Sequence, residues 1–347
     1  MLKAFQRAEL EFDIIKEIGQ DGQNSQTFIA HDHQLNAEIV IKQLAKKKLA
    51  SAPDFFAESQ ALYASAHPNV VQIHYACFDN DHVYIAMPYY KQGSVKAMMA
   101  TKFLTVREIV TLTTQTLSGL HNIHSKNLVH FDVKPDNILL SPRGEALISD
   151  FGQAKQMNFV GIAAQHRHYT KMVPPEATTA TEFDRSFDIY QIGLTLYRMA
   201  NGNDEFDRQF AKYGTPTAFD RAAFAKDLCS GKFPDRKAFL PHIPSTLRTV
   251  IRTCLQVDPK ARYGSAIDVA NAMASIDGKC LDWCYAPRAA TKTWTKNENG
   301  TKYDLTVNPD GSSVCVKSVN GGAARRVNDA CKTSMTDVEL KKLFGTY

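Results

Sequence analysis

The chain has 347 residues, 44% of them apolar and 22% charged, with a formal net charge of +5. That length suggests two domains, or one two-lobed domain with an extension, and the apolar share supplies an ordinary core. The charge is mild, its densest basic run being "AKKKLA" at 45–50, which argues against a nucleic-acid binder built on a basic patch.

No apolar run approaches the ~18 residues that span a bilayer. The N-terminal "MLKAFQRAELEFD" is charged throughout and has no h-region, so no signal peptide is expected. The seven cysteines are odd in number and widely spread, which favours a reducing cytoplasm over a disulfide framework.

Residues 12–45 read as strands separated by turns. "FDIIKEIGQDGQNSQTFIAHD" holds two β-rich pieces around a Gly/Asn/Ser turn, and "AEIVIKQL" is a third. Residues 53–66 have helical spacing, with Pro53 suited to an early helix position. "NVVQIHYACF" and "HVYIAMPYY" read as two further strands joined by "DNDH". After Gly93 the pattern turns helical, over 94–101, 105–125, 184–200 and most of 216–275. The expectation is an α+β chain: a β-rich N-lobe with one main helix, about 12–90, then a helical C-lobe, about 91–277.

Around residue 280 the character changes. "TWTKNENGTKYDLTVNPDGSSVCVKSVNGG" carries β-type runs punctuated by hairpin signals. "SMTDVELKKLF" reads as a closing helix, with Thr336 and Glu339 at capping-box spacing. Residues 281–347 are therefore expected to be a separate small β-rich domain, too turn-rich to continue the helical lobe.

One loop stands out. "LVHFDVKPDNILL" at 128–140 places Asp132, Lys134 and Asn137 between two apolar runs. These groups bind protons, phosphates or metal, and apolar flanks suggest short buried strands that hold the loop rigid. A rigid polar loop in an apolar frame is more often a site than a surface turn. Phosphoryl transfer from ATP needs covered phosphates, neutralised charge, a held Mg²⁺ and an oriented acceptor hydroxyl. The chain offers a candidate for each, in order: a Gly-rich turn, Lys42 ending "IVIK", Glu58 on a helix ahead of "HPN", the 130–137 loop, "DFG" at 150–152, "PPE" at 174–176, Asp188 in "SFDIYQIG" and Arg262 in "DPKARY".

In that order and spacing, residues 12–277 resemble a eukaryotic-type serine/threonine protein kinase domain. The resemblance implies a bilobal kinase fold and phosphotransferase activity with ATP and Mg²⁺ on protein hydroxyls. It implies that Lys42 contacts the α- and β-phosphates and pairs with Glu58, that Asp132 accepts or orients the hydroxyl proton, and that Lys134 stabilises the transferred group. Asn137 and Asp150 would hold Mg²⁺. The phosphate-covering loop would involve Gly19, Gly22 and Ser25; Thr27, Val40 and Leu139 would wall the adenine pocket. Met87 aligns with the gatekeeper, and Pro88 and Tyr90 would offer the backbone C=O and N–H for adenine. Asp188 resembles the aspartate that anchors the catalytic loop, and Glu176 with Arg262 a structural ion pair.

The chain departs from the family at three places. The Gly-rich loop "IGQDGQNSQTF" has an extra residue between its glycines and Ser25 in the third glycine's place. Val40 stands where alanine is usual. Phe131 precedes Asp132 where many regulated kinases have an arginine that pairs with an activation-loop phosphate. Segment 153–175 has no Ser, one Thr (Thr170) and one Tyr (Tyr169). Both features imply a kinase that needs no activation-loop phosphorylation. The basic "AAQHRHYTK", with His166, Arg167, His168 and Lys171, fits acidic or phosphorylated substrates or a solvated loop.

His31/His33 and His121/His124 lack a second pair of ligands for a metal. Cys280, Cys284, Cys315 and Cys331 read as buried thiols or, against their irregular spacing, a zinc site. The alternative to an active kinase is a pseudokinase scaffold that binds nucleotide, and a protein partner through 281–347. The non-Arg catalytic loop resembles bacterial kinases of eukaryotic type. A cytoplasmic location without a membrane span is expected.

Overall fold

The computed structural model describes residues 10–19, 25–48, 56–165 and 170–347. Gly22, Pro53, His166, Arg167, His168 and Tyr169 lie outside them. The chain divides after Lys91 into two compact units.

The first unit is built on an antiparallel sheet of β1 (Phe12–Gly19), β2 (Ser25–Asp32), β3 (Ala37–Ala45), β4 (Tyr75–Phe78) and β5 (His82–Pro88), in the order β1-β2-β3-β5-β4, with α1 (Ala57–Ala64) between β3 and β4. Side chains alternate across a strand. Ile39 and Ile41 of β3 therefore share one face, where Ala30, Ala86, Phe12, Tyr75 and Tyr84 pack on them. Val40 and Lys42 take the other face. β4 is shorter than its apolar run suggests because His67 captures the backbone ahead of it. The His67 ring accepts from Asn69 N at 3.0 Å, and the His67 carbonyl accepts from Val70 N at 3.0 Å and Gln72 Nε2 at 3.2 Å.

In the second unit α2 (Val95–Thr101) and α3 (Val106–Ser125) come first. Ser94 caps α2, and Thr105 with Glu108 forms a full capping box on α3. Short strands follow: β6 (Leu128–Val129), β7 (Ile138–Leu140), β8 (Ala146–Ile148), β9 (Lys155–Gln156), β10 (Ala163–Ala164) and β11 (Glu182–Phe183), paired β6 with β9, β7 with β8 and β10 with β11. Next come α4 (Ser186–Asn201), α5 (Asn203–Phe210), the hairpin β12 (Gly214–Thr215) and β13 (Ala218–Phe219), then α6 (Arg221–Cys229), α7 (Ser245–Cys254) and α8 (Ala266–Ala274). α4 is buried from Phe187 to Asn201 and is the unit's central rod. Gly193 lets α7 close on it, since a Cβ there would lie 2.8 Å from the Cβ of Cys254.

Residues 216–275 are less helical than the periodicity suggests. Pro234, Pro241, Pro244 and Pro259 fall between the helices; proline removes a helix donor and clashes with the preceding turn.

β14 (Cys284–Tyr285), β15 (Lys292–Glu298), β16 (Thr301–Val307), β17 (Ser313–Val319) and β18 (Arg325–Arg326) form an antiparallel sheet in chain order, and α9 (Asp337–Thr346) closes it. Asn299 and Gly300 both have positive φ (49° and 75°), the twist of a two-residue hairpin between β15 and β16. Trp283, Trp294, Leu305, Cys315, Leu340 and Phe344 make the core. This sheet belongs to the same compact unit as the helices. Arg107 of α3 grips Asp282 through two bonds, Nε to Oδ1 at 2.6 Å and Nη2 to Oδ2 at 2.8 Å. Trp294 Nε1 donates to Nδ1 of buried His242 at 3.2 Å, and Phe103 meets Tyr285 edge-on at 4.8 Å. Among the described residues no helix is long and apolar enough to cross a membrane.

Candidate active site

The site residues expected from sequence fall in both units, and each set has its own geometry. In the first unit, Lys42 of β3 reaches Glu58 of α1 with Nζ 2.7 Å from Oε1, the side chains only 7% and 10% exposed. In strand register Lys42 stands between Thr27 of β2 and Ile85 of β5, and Val40 between Ile29 and Met87. Thr27, Val40, Lys42 and Met87 are thus neighbours on one sheet. Thr27 Oγ1 is buried without a hydrogen-bond partner. Gly19 closes β1, buried Ser25 opens β2, Pro88 ends β5 opposite Ile39, and Tyr90 is half-buried just beyond.

In the second unit, Asp132, Lys134 and Asn137 sit in one loop between β6 and β7. Asp132 Oδ2 accepts from Lys134 Nζ and from Asn137 Nδ2, each at 2.8 Å. Asn137 Nδ2 also donates to the Asp132 carbonyl at 2.9 Å. Asp132 Oδ1 is buried and has no hydrogen-bond partner. A buried carboxylate oxygen without a donor is costly, and it can accept from a hydroxyl brought to it. Burial alone would lower the Lys134 pKa, but the Asp132 carboxylate, then Asp150, outweigh it and raise it above the usual range.

Asn137 and Asp150 are brought together by β7 and β8, in which Ile138 pairs with Ile148. Ser149, just before Asp150, donates both N–H and hydroxyl to the Asn137 carbonyl at 2.9 and 3.0 Å. Asp150 takes φ +60°, and its Oδ1 accepts from Gly152 N at 3.2 Å. Hard cations take oxygen ligands, so this donor set suits a divalent ion. Leu139 pairs with Leu147 and bridges Ser94.

The loop's backbone is held from α4. Asp188 Oδ1 accepts from Phe131 N at 2.8 Å, and Oδ2 accepts from His130 N at 2.9 Å, with His124 Nε2 at 2.8 Å. His124 therefore serves the anchor. Gln191, one turn on, accepts from Val133 N at 2.8 Å through Oε1 and donates to Phe131 O at 2.9 Å through Nε2. His130 Nδ1 accepts from Asp132 N at 3.3 Å and Nε2 donates to Ser149 O at 3.1 Å; burial holds this ring's pKa below the ordinary histidine value. Gln191 escaped the sequence reading, and His130 entered it only as the first residue of the loop motif. The available signal was spacing: Gln191 falls on the Asp188 face of α4.

Phe131, at φ +64°, is buried against Phe183 and Phe187 at 6.1 and 4.9 Å between centroids, with Val129 and Ala163 in the same cluster. Glu176 and Arg262 form a bidentate pair at 2.7 and 2.6 Å. The remaining metal candidates do not assemble: among the described residues no group of three or more His, Cys, Asp or Glu could hold an ion. Cys331 Sγ instead lies 3.2 Å from the Cys315 backbone N.

Residues 12–274 match the protein kinase domain family. The chain is similar to the serine/threonine-protein kinase STE20 of Eremothecium gossypii, 27% identical over 277 residues, which is 75% of this chain and 26% of that one. It is likewise similar to the serine/threonine-protein kinase PrkC of Bacillus subtilis, 26% identical over 282 residues, 78% of this chain and 41% of the relative. The chain thus spans well under half the length of these relatives. With the family matched over most of its length, this chain belongs to the protein kinase family.

Proposed function

We propose that the protein is a serine/threonine protein kinase that moves the γ-phosphoryl group of ATP, with Mg²⁺, onto protein hydroxyls in the cytoplasm. The observation that carries this reading is the catalytic loop: Asp132 keeps one buried oxygen unpartnered while Lys134 and Asn137 fix the other. Asp132 would take that hydroxyl's hydrogen bond at Oδ1 and orient its oxygen. Lys134 would offset charge on the moving phosphoryl. Lys42, held by Glu58, would meet the α- and β-phosphates. Gly19, Gly22 and Ser25 would cover them, and Thr27, Val40, Met87, Pro88, Tyr90 and Leu139 would receive the adenine. Bound Mg²⁺ would supply charge neutralisation, held by Asn137 and Asp150.

This kinase needs no phosphate on its activation segment. Where an arginine would await a phosphate, buried Phe131 packs with Ala163 and Phe183, of the paired strands β10, inside the segment, and β11, just beyond it. Apolar packing supports the segment directly. Residues 281–347, packed on the helical part of the 12–277 catalytic domain, would recruit a protein partner.

The test is transfer from γ-labelled ATP with Mg²⁺ to a generic protein substrate, beside Asp132→Asn and Thr170→Ala. Transfer to Ser or Thr that is lost in Asp132→Asn and kept in Thr170→Ala supports both readings. Loss in Thr170→Ala with rescue by an acidic replacement overturns the second. Stabilisation by ATP and Mg²⁺ with no transfer overturns the first and leaves a nucleotide-binding scaffold.

A further inference from the structure

The catalytic loop carries one more carboxylate, Asp136, which the transfer chemistry leaves unused. It sits in the 3-10 turn Pro135–Asn137, directly before Asn137. Both of its oxygens are taken. Lys96 of α2 holds Oδ1 at 2.5 Å, and Arg198 of α4 holds Oδ2 at 3.3 Å. Arg198 is locked in place: Nε donates to Asn203 Oδ1 at 2.9 Å, Nη1 lies 3.8 Å from Met172 Sδ, and the guanidinium covers the Phe206 ring at 5.6 Å. Its side chain is 7% exposed, whereas that of Lys96 is 53% exposed.

One carboxylate therefore meets two cations. Burial would raise the Asp136 pKa, but Lys96 and then Arg198 outweigh it and hold it below the usual carboxylate range, so the acid stays charged. Lys134 adds no imbalance, because Asp132 pairs with it. Of the acids on α5, Glu205 is paired with Arg208 and Asp207 with Lys171, and Asp204 makes no ion pair with either cation of the cluster. At Asp136 itself two cations face one carboxylate, and the exposed cation is Lys96.

We propose that Lys96 is a specificity-determining residue that selects acceptor peptides with acidic side chains near the hydroxyl. A substrate arginine or lysine would find Asp136 already paired with two cations and would face the Lys96 ammonium. A substrate carboxylate would find an exposed cation whose carboxylate partner is shared with Arg198. Like-charge contact and opposite-charge contact at a partly exposed site differ enough to decide between otherwise equal peptides. The inference rests on the kinase reading for its setting, but binding alone can test it.

The experiment uses the full chain and two labelled peptides, identical except for Glu or Arg beside a central Ser. Anisotropy gives binding, and labelled ATP gives kcat/KM. The expected result is a preference of roughly three- to tenfold for the acidic peptide, shrinking as salt is raised. Lys96→Gln should bring the ratio close to one, and Lys96→Glu should invert it. Comparing two peptides on the same variant cancels any general loss of activity. Equal binding, no binding of either peptide, a basic preference, or an unchanged ratio in Lys96→Glu overturns the proposal. No transfer to either peptide overturns the kinase reading instead, and the binding ratio still decides this one.

Discussion

Phe131 bears two burdens at once: a bulky side chain at positive φ, which costs of order 1–3 kcal/mol, and a place 1% exposed among aromatic rings. The strain persists because its neighbours over-determine it. Its N–H is fixed by Asp188, its carbonyl by Gln191, and its ring by Phe183 and Phe187. Phe131→Ala should therefore cost about 3–5 kcal/mol by loss of ring packing, since alanine keeps the awkward φ and relieves little. Urea unfolding measures this, and a loss under about 1 kcal/mol would mean the cluster holds nothing. Asp132→Asn tests the other half of the loop. It keeps the shape and the bond from Lys134 but removes the negative charge that would orient the hydroxyl. Transfer should fall roughly 10²- to 10⁴-fold with little change in nucleotide binding, the range expected when a general base is lost. An equal fall in nucleotide affinity would place Asp132 in a binding role instead.

At the scale of elements, the loops are ordered by the helices beneath them. α4 sends Asp188 and Gln191 to four backbone N–H and C=O groups of the 128–140 loop. α3 and the segment before α7 receive the C-terminal sheet through Arg107 and His242. His242 is ringed by Trp294, Tyr285 and Phe344, and burial, with Arg248 nearby, pushes its pKa down to about 3. The unfolded chain would titrate near the ordinary histidine value of about 6.5. Above that value both states are neutral and His242 adds no pH dependence. As pH falls from about 6.5 toward 3, the unfolded state binds a proton that the folded state refuses, so stability drops. At about pH 5 the loss from this group should reach about 2 kcal/mol. His242→Gln keeps an acceptor for Trp294 and removes the titration. Denaturant unfolding of both proteins at neutral pH and at about pH 5 reads the difference, and parallel pH profiles would remove His242 as the cause.

For the whole molecule, sequence made the candidate residues legible and left their supports obscure. Lys42, Glu58, Asp132, Asn137 and Asp150 are polar groups at fixed spacings in short motifs, so they stand out in one dimension. The ties that hold them, from Ser149 to the Asn137 carbonyl or from Gln191 to Val133, join residues far apart in the chain and carry no local signature. The C-terminal sheet was legible for a local reason, its Asn-Gly and Pro-Asp-Gly turns, but its packing against α3 was not, since Arg107 and Asp282 are 175 residues apart. That packing makes a prediction about cooperativity. The chain has two tryptophans, Trp283 and Trp294, both fully buried in the C-terminal core, so intrinsic tryptophan fluorescence reports on that core alone. Far-UV circular dichroism is dominated by the helices of residues 92–275. A bidentate Arg107–Asp282 pair, a buried Trp294–His242 bond and an aromatic contact at Phe103 should couple the two. Fluorescence and circular dichroism should then trace one unfolding curve, and Arg107→Ala should shift both midpoints together. A fluorescence midpoint well below that of circular dichroism, or one that moves alone in Arg107→Ala, would make the sheet a tethered passenger rather than a structural part of the helical unit.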